Sequence, residues 1–504
     1  MRRLLRAARD DDRGAALALV AGSLVVLMGM AAFGSDLAWF YLNASRVQRA
    51  ADAAALGGVV WMPADWTEAE ATAFDIAMRN GFDDADADVT VLPADIPGAP
   101  NQLEVTVQSV VPTFFAKVLG FDTMTIRRTA RAEYIPPLKL GSPSNKFGND
   151  PSCFGSNPDC AGNFWANIHG RNVDTHLGDA YSSFCRDESG STNGCPQSPA
   201  YRDTGYLYGV IPNGNSFSFD TLDMAFHNKS GGVANNDAWR TGDHNDFCGN
   251  PATCVGPTVT VNVFTPDPTP LILTDNGAPI CSKTYTPQPQ VNPDSDPPFT
   301  GPPPPNWNWD TACSVNTSAS PDGIWVVQVV NTSANQNTSG LNRYAVRTSG
   351  GSNLFGLGDF SMFNNASATE SNFYLAEVPD FYAGKTFVVE LYDPGDSLAG
   401  GTIKLMPPAS STPYGSCEMF TRAEVTDTWT SRGTMSPCQF TALNNGGAND
   451  YNGEWVKLEA VLPAPGSYTG GWWKIHYTFV GGVQDTTTWL AYMRGNPIHL
   501  VPTP

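Results

Sequence analysis

The stretch GAALALVAGSLVVLMGMAAF, residues 14–33, carries no charged side chain, and its apolar character resumes after Asp36 in LAWFYL, residues 37–42. About twenty helical residues at roughly 1.5 Å each span the roughly 30 Å hydrocarbon core of a bilayer. This segment therefore reads as a transmembrane helix over 14–42. Arg2, Arg3, Arg6, Arg9 and Arg13 precede it. Flanking arginines hold their end of a span in the cytoplasm, and Asp10, Asp11 and Asp12 count little against them. Residues 1–13 are then an Arg-rich cytoplasmic leader, and the bulk of the chain is extracytoplasmic. A cleaved secretory signal is the alternative, but its apolar core runs about 7–15 residues. Here the helical pattern continues through Trp39, Tyr41 and Val47 into AADAAAL, which favours a retained anchor.

Beyond the anchor the chain is acidic and rich in turn formers. Across 504 residues the net charge is −20. Phosphate contacts need clustered cations, so nucleic acid is not an expected partner. The 48 glycines and 40 prolines disfavour a mostly helical protein and suit short strands joined by turns. All ten cysteines (Cys153, Cys160, Cys185, Cys195, Cys248, Cys254, Cys281, Cys313, Cys417 and Cys438) lie beyond the anchor. An even count outside the cytoplasm reads as disulfides. Spacing leaves the connectivity open; nearest-neighbour pairing would join 153–160, 185–195, 248–254, 281–313 and 417–438. No C-x2-C pair supports zinc.

Directly after the anchor, helical periodicity runs over 44–56 and stops at Gly57-Gly58. A second helix is expected from Asp65 or Thr67 to Asn80, with Ala69, Ala73, Ile76 and Ala77 on one face and Gly81 as the stop. Strands are expected at 89–92 and 103–108, a short helix in VPTFFAKVLG and a closing strand in TMTIRRTARAEYI. Arg13-Gly14-Ala15, Asp36-Leu37, Tyr41-Leu42 and the run from Val47 to Leu56 (VQRAADAAAL) resemble the N-terminal region of TadG-like proteins. The later Phe114-Phe115-Ala116, Leu119-Gly120 and Ala130-Arg131-Ala132 are similar to that family too. The resemblance covers roughly residues 13–136. It implies a bacterial protein of a Tad (Flp pilus assembly) system, with an α/β module over 43–136 and other pilus assembly proteins as partners. Related pseudopilins are processed at a Gly followed five residues later by Glu. Leu19 stands at that place here, so processing and entry into a filament are not expected.

From 141 onward, short apolar alternations are separated by Gly, Pro, Asn and Asp. The clearest strands are 164–169, 258–264, 324–330, 343–348, 373–378, 386–392, 454–461 and 472–479. A Pro-rich stretch over 286–306, bracketed by Cys281 and Cys313, reads as a polyproline spacer. The expected fold is therefore α+β, mainly β: the transmembrane helix, the small α/β module, then two antiparallel β-sandwich (jelly-roll-like) domains. These are a Cys-rich one over 141–285 and a second over 307–504. Three echoes suggest related sandwiches. Trp165-Ala166 with Leu177-Gly178-Asp179 parallels Tyr344-Ala345 with Leu357-Gly358-Asp359. Tyr206-Leu207 with Val210-Ile211-Pro212 parallels Tyr374-Leu375 with Val378-Pro379. VNVFTP at 261–266 parallels VELYDP at 389–394. The FYLAEVP…VVELYDPGD run also resembles the β-rich C-terminal portion of TadG-like proteins.

Motifs that could carry chemistry each have a plainer reading. Gly395-Asp396-Ser397-Leu398 spells the GDSL string of an esterase family, which needs a strand-to-helix turn and a downstream Asp-x-x-His. Here a strand is expected next, and Asn496 precedes His499 where the acid should be. Asp187-x-Ser189-x-Ser191 matches the metal-binding string of von Willebrand A domains, but it follows Ser-Phe-Cys-Arg rather than a buried strand. Asp83, Asp84, Asp86 and Asp88 form an acidic loop whose calcium candidates are Asp84, Asp86 and Asp88; the Gly and distal Glu of an EF-hand are missing. The six histidines (169, 176, 227, 244, 476, 499) show no ligand spacing. Trp307, Trp309, Trp472 and Trp473 could stack on sugars, though core packing is the default for tryptophan in a sandwich. No catalytic residue and no cofactor is expected. The function expected is a structural or adhesive role without catalysis in pilus assembly, at the bacterial cell membrane. The alternative is a surface carbohydrate- or wall-binding module carried by the anchor.

Overall fold

The computed structural model describes residues 2–63, 65–148, 164–182, 198, 200–226, 243–245, 256–267, 269–287, 309–318, 323–334, 338, 340–366, 370–395, 400–424, 426–443, 449–479 and 483–502, with the backbone alone at 2–15, 244–245, 365–366 and 483–484. The chain divides into two units, one of residues 1–135 and 496–504, the other of 136–495.

In the first unit, helix α1 runs unbroken over Arg2–Gly58. Within it, from Ala16 onward, lies an 18-residue window long and apolar enough to cross a membrane. Beyond the span, Val47, Ala50, Ala51, Ala54 and Ala55 turn one fully buried face to the module. Helix α2, Trp66–Arg79, begins at Asp65, whose carboxylate accepts the Glu68 N–H at 3.0 Å, a standard N-cap. Its buried face is Ala69, Ala73 and Ala77, and small side chains on both helices allow close approach. Gly57 and Gly58 are part of that fit: a Cβ on Gly57 would lie 1.9 Å from Ile76 Cδ1, and one on Gly58 2.6 Å from Leu103 Cδ2. Strands β1 (Val89–Asp95), β2 (Gln102–Pro112) and β3 (Thr123–Tyr134) form an antiparallel meander. A fourth strand, Ile498–Val501, pairs with the free edge of β3. The expected second sandwich thus ends short of 504, because the chain returns to the module sheet to cover its edge.

The second unit is built of two sheets and two rolls. The first roll holds β4 (Phe164–His169), β5 (Tyr206–Ile211), β6 (Ser216–Leu222), β7 (Val259–Phe264), β8 (Cys281–Tyr285), β9 (Asp310–Asn316), β10 (Trp325–Asn331) and β11 (Gly340–Thr348). The second holds β12 (Asp359–Ala366), β13 (Glu370–Val378), β14 (Thr386–Tyr392), β15 (Gly401–Met406), β16 (Gln439–Ala442), β17 (Glu454–Val461), β18 (Gly471–Phe479) and β19 (Val483–Met493). In the first roll the strand orders are β8-β7-β10-β5 and β9-β6-β11-β4. In the second they are β16-β15-β18-β13 and β17-β14-β19-β12. Adding eight to each first-roll number gives the second, so the topology is repeated strand for strand, in the order of an eight-stranded jelly roll. The rolls share both sheets. β4 pairs directly with β12, and on the other sheet the short strands Asn353–Leu357 and Lys139–Leu140 lie between β5 and β13. An extra hairpin, Cys417–Ala423 with Thr430–Met435, extends the second roll beyond β17.

This arrangement corrects the expected boundary at 286–306. Strands from beyond the Pro-rich stretch complete the first roll: β10 lies between β7 and β5, and β11 between β6 and β4. The passage from roll to roll falls instead at Gly358, between Leu357 and β12. Most of the stretch itself, 288–306, lies outside the described residues.

Burial follows position in the sheets. Central β10, WVVQVVN, is buried along nearly its whole length, as is β4 at the seam, and such strands show no alternation. Edge strand β8 alternates half-buried and exposed residues. Aromatics fill the interior from both sheets: Tyr208 on β5 meets Phe219 on β6, and Phe373 on β13 meets Trp489 on β19. Cys281 is bridged to Cys313, and Cys417 to Cys438. The other six cysteines lie outside the described residues. The first bridge ties β8 in one sheet to β9 in the other, across a sequence separation of 32. Closing a loop of that size constrains the unfolded chain by about 3–4 kcal/mol. Cys281→Ser is expected to lower the stability of the second unit by that amount, read from the guanidinium midpoint of the oxidised chain.

Candidate functional site

Two clusters of side chains stand out. The first lies where α1 leaves its apolar span. Asp36 interrupts the apolar run and is nearly buried. Its carboxylate accepts the backbone N–H groups of Phe114 at 2.9 Å, Phe115 at 3.0 Å and Ala116 at 2.6 Å. Those residues open the single 3-10 turn Ala116–Leu119 between β2 and β3. Trp39, one turn further along α1, donates from Nε1 to the Pro112 carbonyl at 3.2 Å and meets the Phe114 ring edge-on at 5.3 Å. The sequence shows Asp36 only as a break in an apolar tract and FFAKVLG as a short helix. Their pairing over 78 positions leaves no local signal.

The second cluster joins the two rolls, and both LGD strings of the sequence feed it. Asp359, first residue of β12, takes a bidentate ion pair from Arg202 (2.9 and 2.7 Å) and the Tyr181 hydroxyl at 2.7 Å. The Arg202 guanidinium lies 3.7 Å from the centre of the Tyr181 ring. Asp179 accepts the Tyr206 hydroxyl at 2.6 Å and the Tyr181 N–H at 3.1 Å. Burial pushes the Asp179 carboxyl up to about 6, against the Tyr206 and Tyr181 hydrogen bonds and Arg202 that favour its ionised form. Burial also disfavours charge on Arg202, but the Asp359 carboxylate outweighs it and raises the guanidinium further. Gly178 is held at φ +90, and a Cβ there would lie 1.7 Å from the Thr486 carbonyl on β19. The loop after β4 therefore packs directly on the second roll, where Thr488 Oγ1 donates to the Gly178 carbonyl at 2.9 Å.

Beside this joint, His169 Nδ1 and Ser182 Oγ are 2.8 Å apart. His169 Nε2 is buried with no hydrogen-bond partner among the described residues, so none of their carboxylates orients the ring as the acid of a triad would. The cavity here is about 40 Å³, room for little more than a water. Burial, and then the nearby Arg343 charge, hold His169 well below the usual histidine range. A histidine kept neutral in the fold is protonated in the unfolded chain, so stability is present above pH ~6.5 and lost as pH falls. Comparison of wild type with His169→Gln by chemical denaturation should show the wild type losing about 1 kcal/mol more per pH unit below that point. Asp179 acts in the opposite sense, losing stability as pH rises from about 4 to about 6.

The remaining sequence candidates are dispersed. Asp84 accepts the Val91 N–H at 2.7 Å and Asp83 the Ala85 N–H at 3.0 Å, while Asp86 and Asp88 are exposed. The first two carboxylates thus close the turn that leads into β1. His176 is 3.7 Å from Glu424, His476 3.7 Å from Glu370 and His499 3.3 Å from Glu133. Among the described residues no cluster of three metal-ligating side chains occurs. Gly395 donates its N–H to Asp485 at 3.1 Å. Ser397 lies outside the described residues, as do Asp187, Ser189, Ser191, His227 and Trp307; the next element after Ser397 is strand β15. Trp473 is fully buried against Phe387 and Tyr414. Trp472, its neighbour on β18, points to the other face and meets Tyr374 edge-on. Trp309 packs under the Arg347 guanidinium. A cleft of about 650 Å³ is lined in part by Lys146, Phe164, Glu370, Tyr374, Lys474 and His476.

These features define a membrane-anchored protein with, among the described residues, one helix apolar and long enough to span a bilayer, an α/β module folded on its continuation, and a pair of jelly rolls. Residues 14–64 match the family model described as "Putative Flp pilus-assembly TadE/G-like", so this N-terminal segment is similar to TadE/G-like proteins. No curated protein matches the chain. Among solved structures, a "putative secreted protein" from Eubacterium rectale is similar at 10% identity, covering 82% of this chain and 97% of that one, with a TM-score of 0.15. The Faustovirus major capsid protein is similar at 9% identity, covering 81% of each chain, with a TM-score of 0.11. At TM-scores this low neither likeness bears on fold or function.

Proposed function

We propose that this chain is an extracytoplasmic structural or adhesive component of a Tad/Flp-type pilus assembly system, held by one membrane span and without catalysis. The observation that carries the proposal is where the TadE/G-like match falls. Residues 14–64 are the apolar helix together with the Ala-rich face, Val47 to Ala55, that forms the module core. Anchor and module are thus one piece, and the jelly rolls are what it presents. The Arg-rich leader favours a cytoplasmic N-terminus, and two disulfides suit an oxidising space for the rolls. Capture supports partnership with other pilus assembly proteins if, after cross-linking in intact cells, the detergent-extracted chain brings down the assembly platform. Recovery of the chain alone would count against it. The glycan-binding alternative draws less support. Trp472 and Trp473 face opposite ways and Trp309 lies under Arg347, so these three form no common stacking platform.

A further inference from the structure

The large exposed apolar side chains of the first unit are not confined to α1. Phe114 and Phe115 are half exposed, Phe121 is 64% exposed, and Val118 and Leu119 are 82% and 79% exposed. All five sit on the loop 114–121 between β2 and β3. Asp36 and Trp39 tie that loop to α1, which fixes its height along the helix. From Gly14, where the uncharged stretch begins after Arg13, to Asp36 is about 33 Å at ~1.5 Å per residue, close to the thickness of a hydrocarbon core. A bilayer entered just after Arg13 therefore ends near the level of Asp36, and the loop lies at that same level.

The chemistry of the loop suits that depth. A carboxylate at the edge of hydrocarbon needs its oxygens satisfied, and Asp36 takes three backbone N–H groups. Trp39 sits where tryptophan is enriched, at the membrane–water interface. Lys117 lies in the same turn, with a stem long enough to carry its ammonium back to the headgroups. Arg127 is exposed on β3, about 13 Å along the strand from Thr123 at ~3.3 Å per residue. In water, a cluster of this kind is an unexplained liability; against acyl chains it is stabilising.

We propose that the 114–121 loop is a second membrane contact, inserted in the interface of the bilayer that α1 crosses, on the module's side. The contact sets the module's height and tilt on the membrane. It rests on reading α1 as a span, and the test separates the two. The full chain would be reconstituted in vesicles of phosphatidylethanolamine and phosphatidylglycerol. Photoreactive benzoylphenylalanine would replace Val25, Leu92 or Val118 one at a time, and lipid adducts would be read by mass spectrometry. Leu92 is the control, an exposed β1 residue paired with Thr106, about 20 Å along β2 from Pro112 at ~3.3 Å per residue. Adducts at Val25 and Val118 but not Leu92, with Val118 adducts lost in Asp36→Ala, are expected. Adducts at Val25 without any at Val118, or Val118 cross-links to protein alone, would overturn the loop contact and leave the span standing. Absence at both Val25 and Val118 would overturn both.

Discussion

Trp489→Ala is expected to destabilise the second unit by about 3–5 kcal/mol, at the upper end of what a single core substitution costs. Trp489 is 2% exposed on β19, between β12 and β14. Its ring meets Phe373 at 5.8 Å and Tyr477 at 6.1 Å, both from the opposite sheet. Truncation removes buried area and leaves a cavity that strands hydrogen-bonded on both sides cannot close. Trp489→Phe keeps part of the ring contact and should cost less than half as much. The guanidinium midpoint of the detergent-solubilised chain, followed by circular dichroism, reads both. Equal midpoints for wild type and Trp489→Ala would show that the two sheets do not pack through this ring.

Asp359→Ala comes next, at about 2–4 kcal/mol. Removing one member of a buried ion pair leaves its partner desolvated without compensation; the partial exposure of Arg202, 30% of its side chain, reduces the expectation from the fully buried case. Arg202→Ala should cost a similar amount, since it leaves the Asp359 carboxylate with Tyr181 as its hydrogen-bond donor. The double variant should fall well short of the sum, because both changes remove one interaction. Additive losses would mean that Arg202 and Asp359 act independently, and that their ion pair does not hold the seam of the rolls.

The module was largely readable because its signals are local. The Asp65 cap, the Ala69–Ala73–Ala77 face and the alternation of LEVTVQ all concern residues within a few positions of one another. Its fourth strand was not, since IHLV at 498–501 alternates but nothing near it says that its sheet partner is β3. The rolls show the same division. Alternation marked strands such as β7, β14 and β17, whereas the Pro-rich stretch suggested a boundary that the chain crosses to complete the first roll. Repeats in the sequence are a partial guide to the repeat in the fold. The Tyr206/Tyr374 echo falls on topologically equivalent strands β5 and β13. The VNVFTP/VELYDP echo pairs β7 with β14, which are not equivalent. The LGD echo falls on the loop after β4 in one copy and at the start of β12 in the other, yet Asp179 and Asp359 converge on one polar joint. At the membrane exit, Asp36 reads as a blemish in a span until its carboxylate is seen closing the Phe114–Ala116 turn.

Pilus assembly in living cells tests the central claim most directly. The account predicts that cells lacking this chain lose surface Flp pili. Pili should return with the full chain expressed in trans, and not with residues 43–504 exported behind a cleavable signal. Pili in normal number on the deleted strain would contradict it.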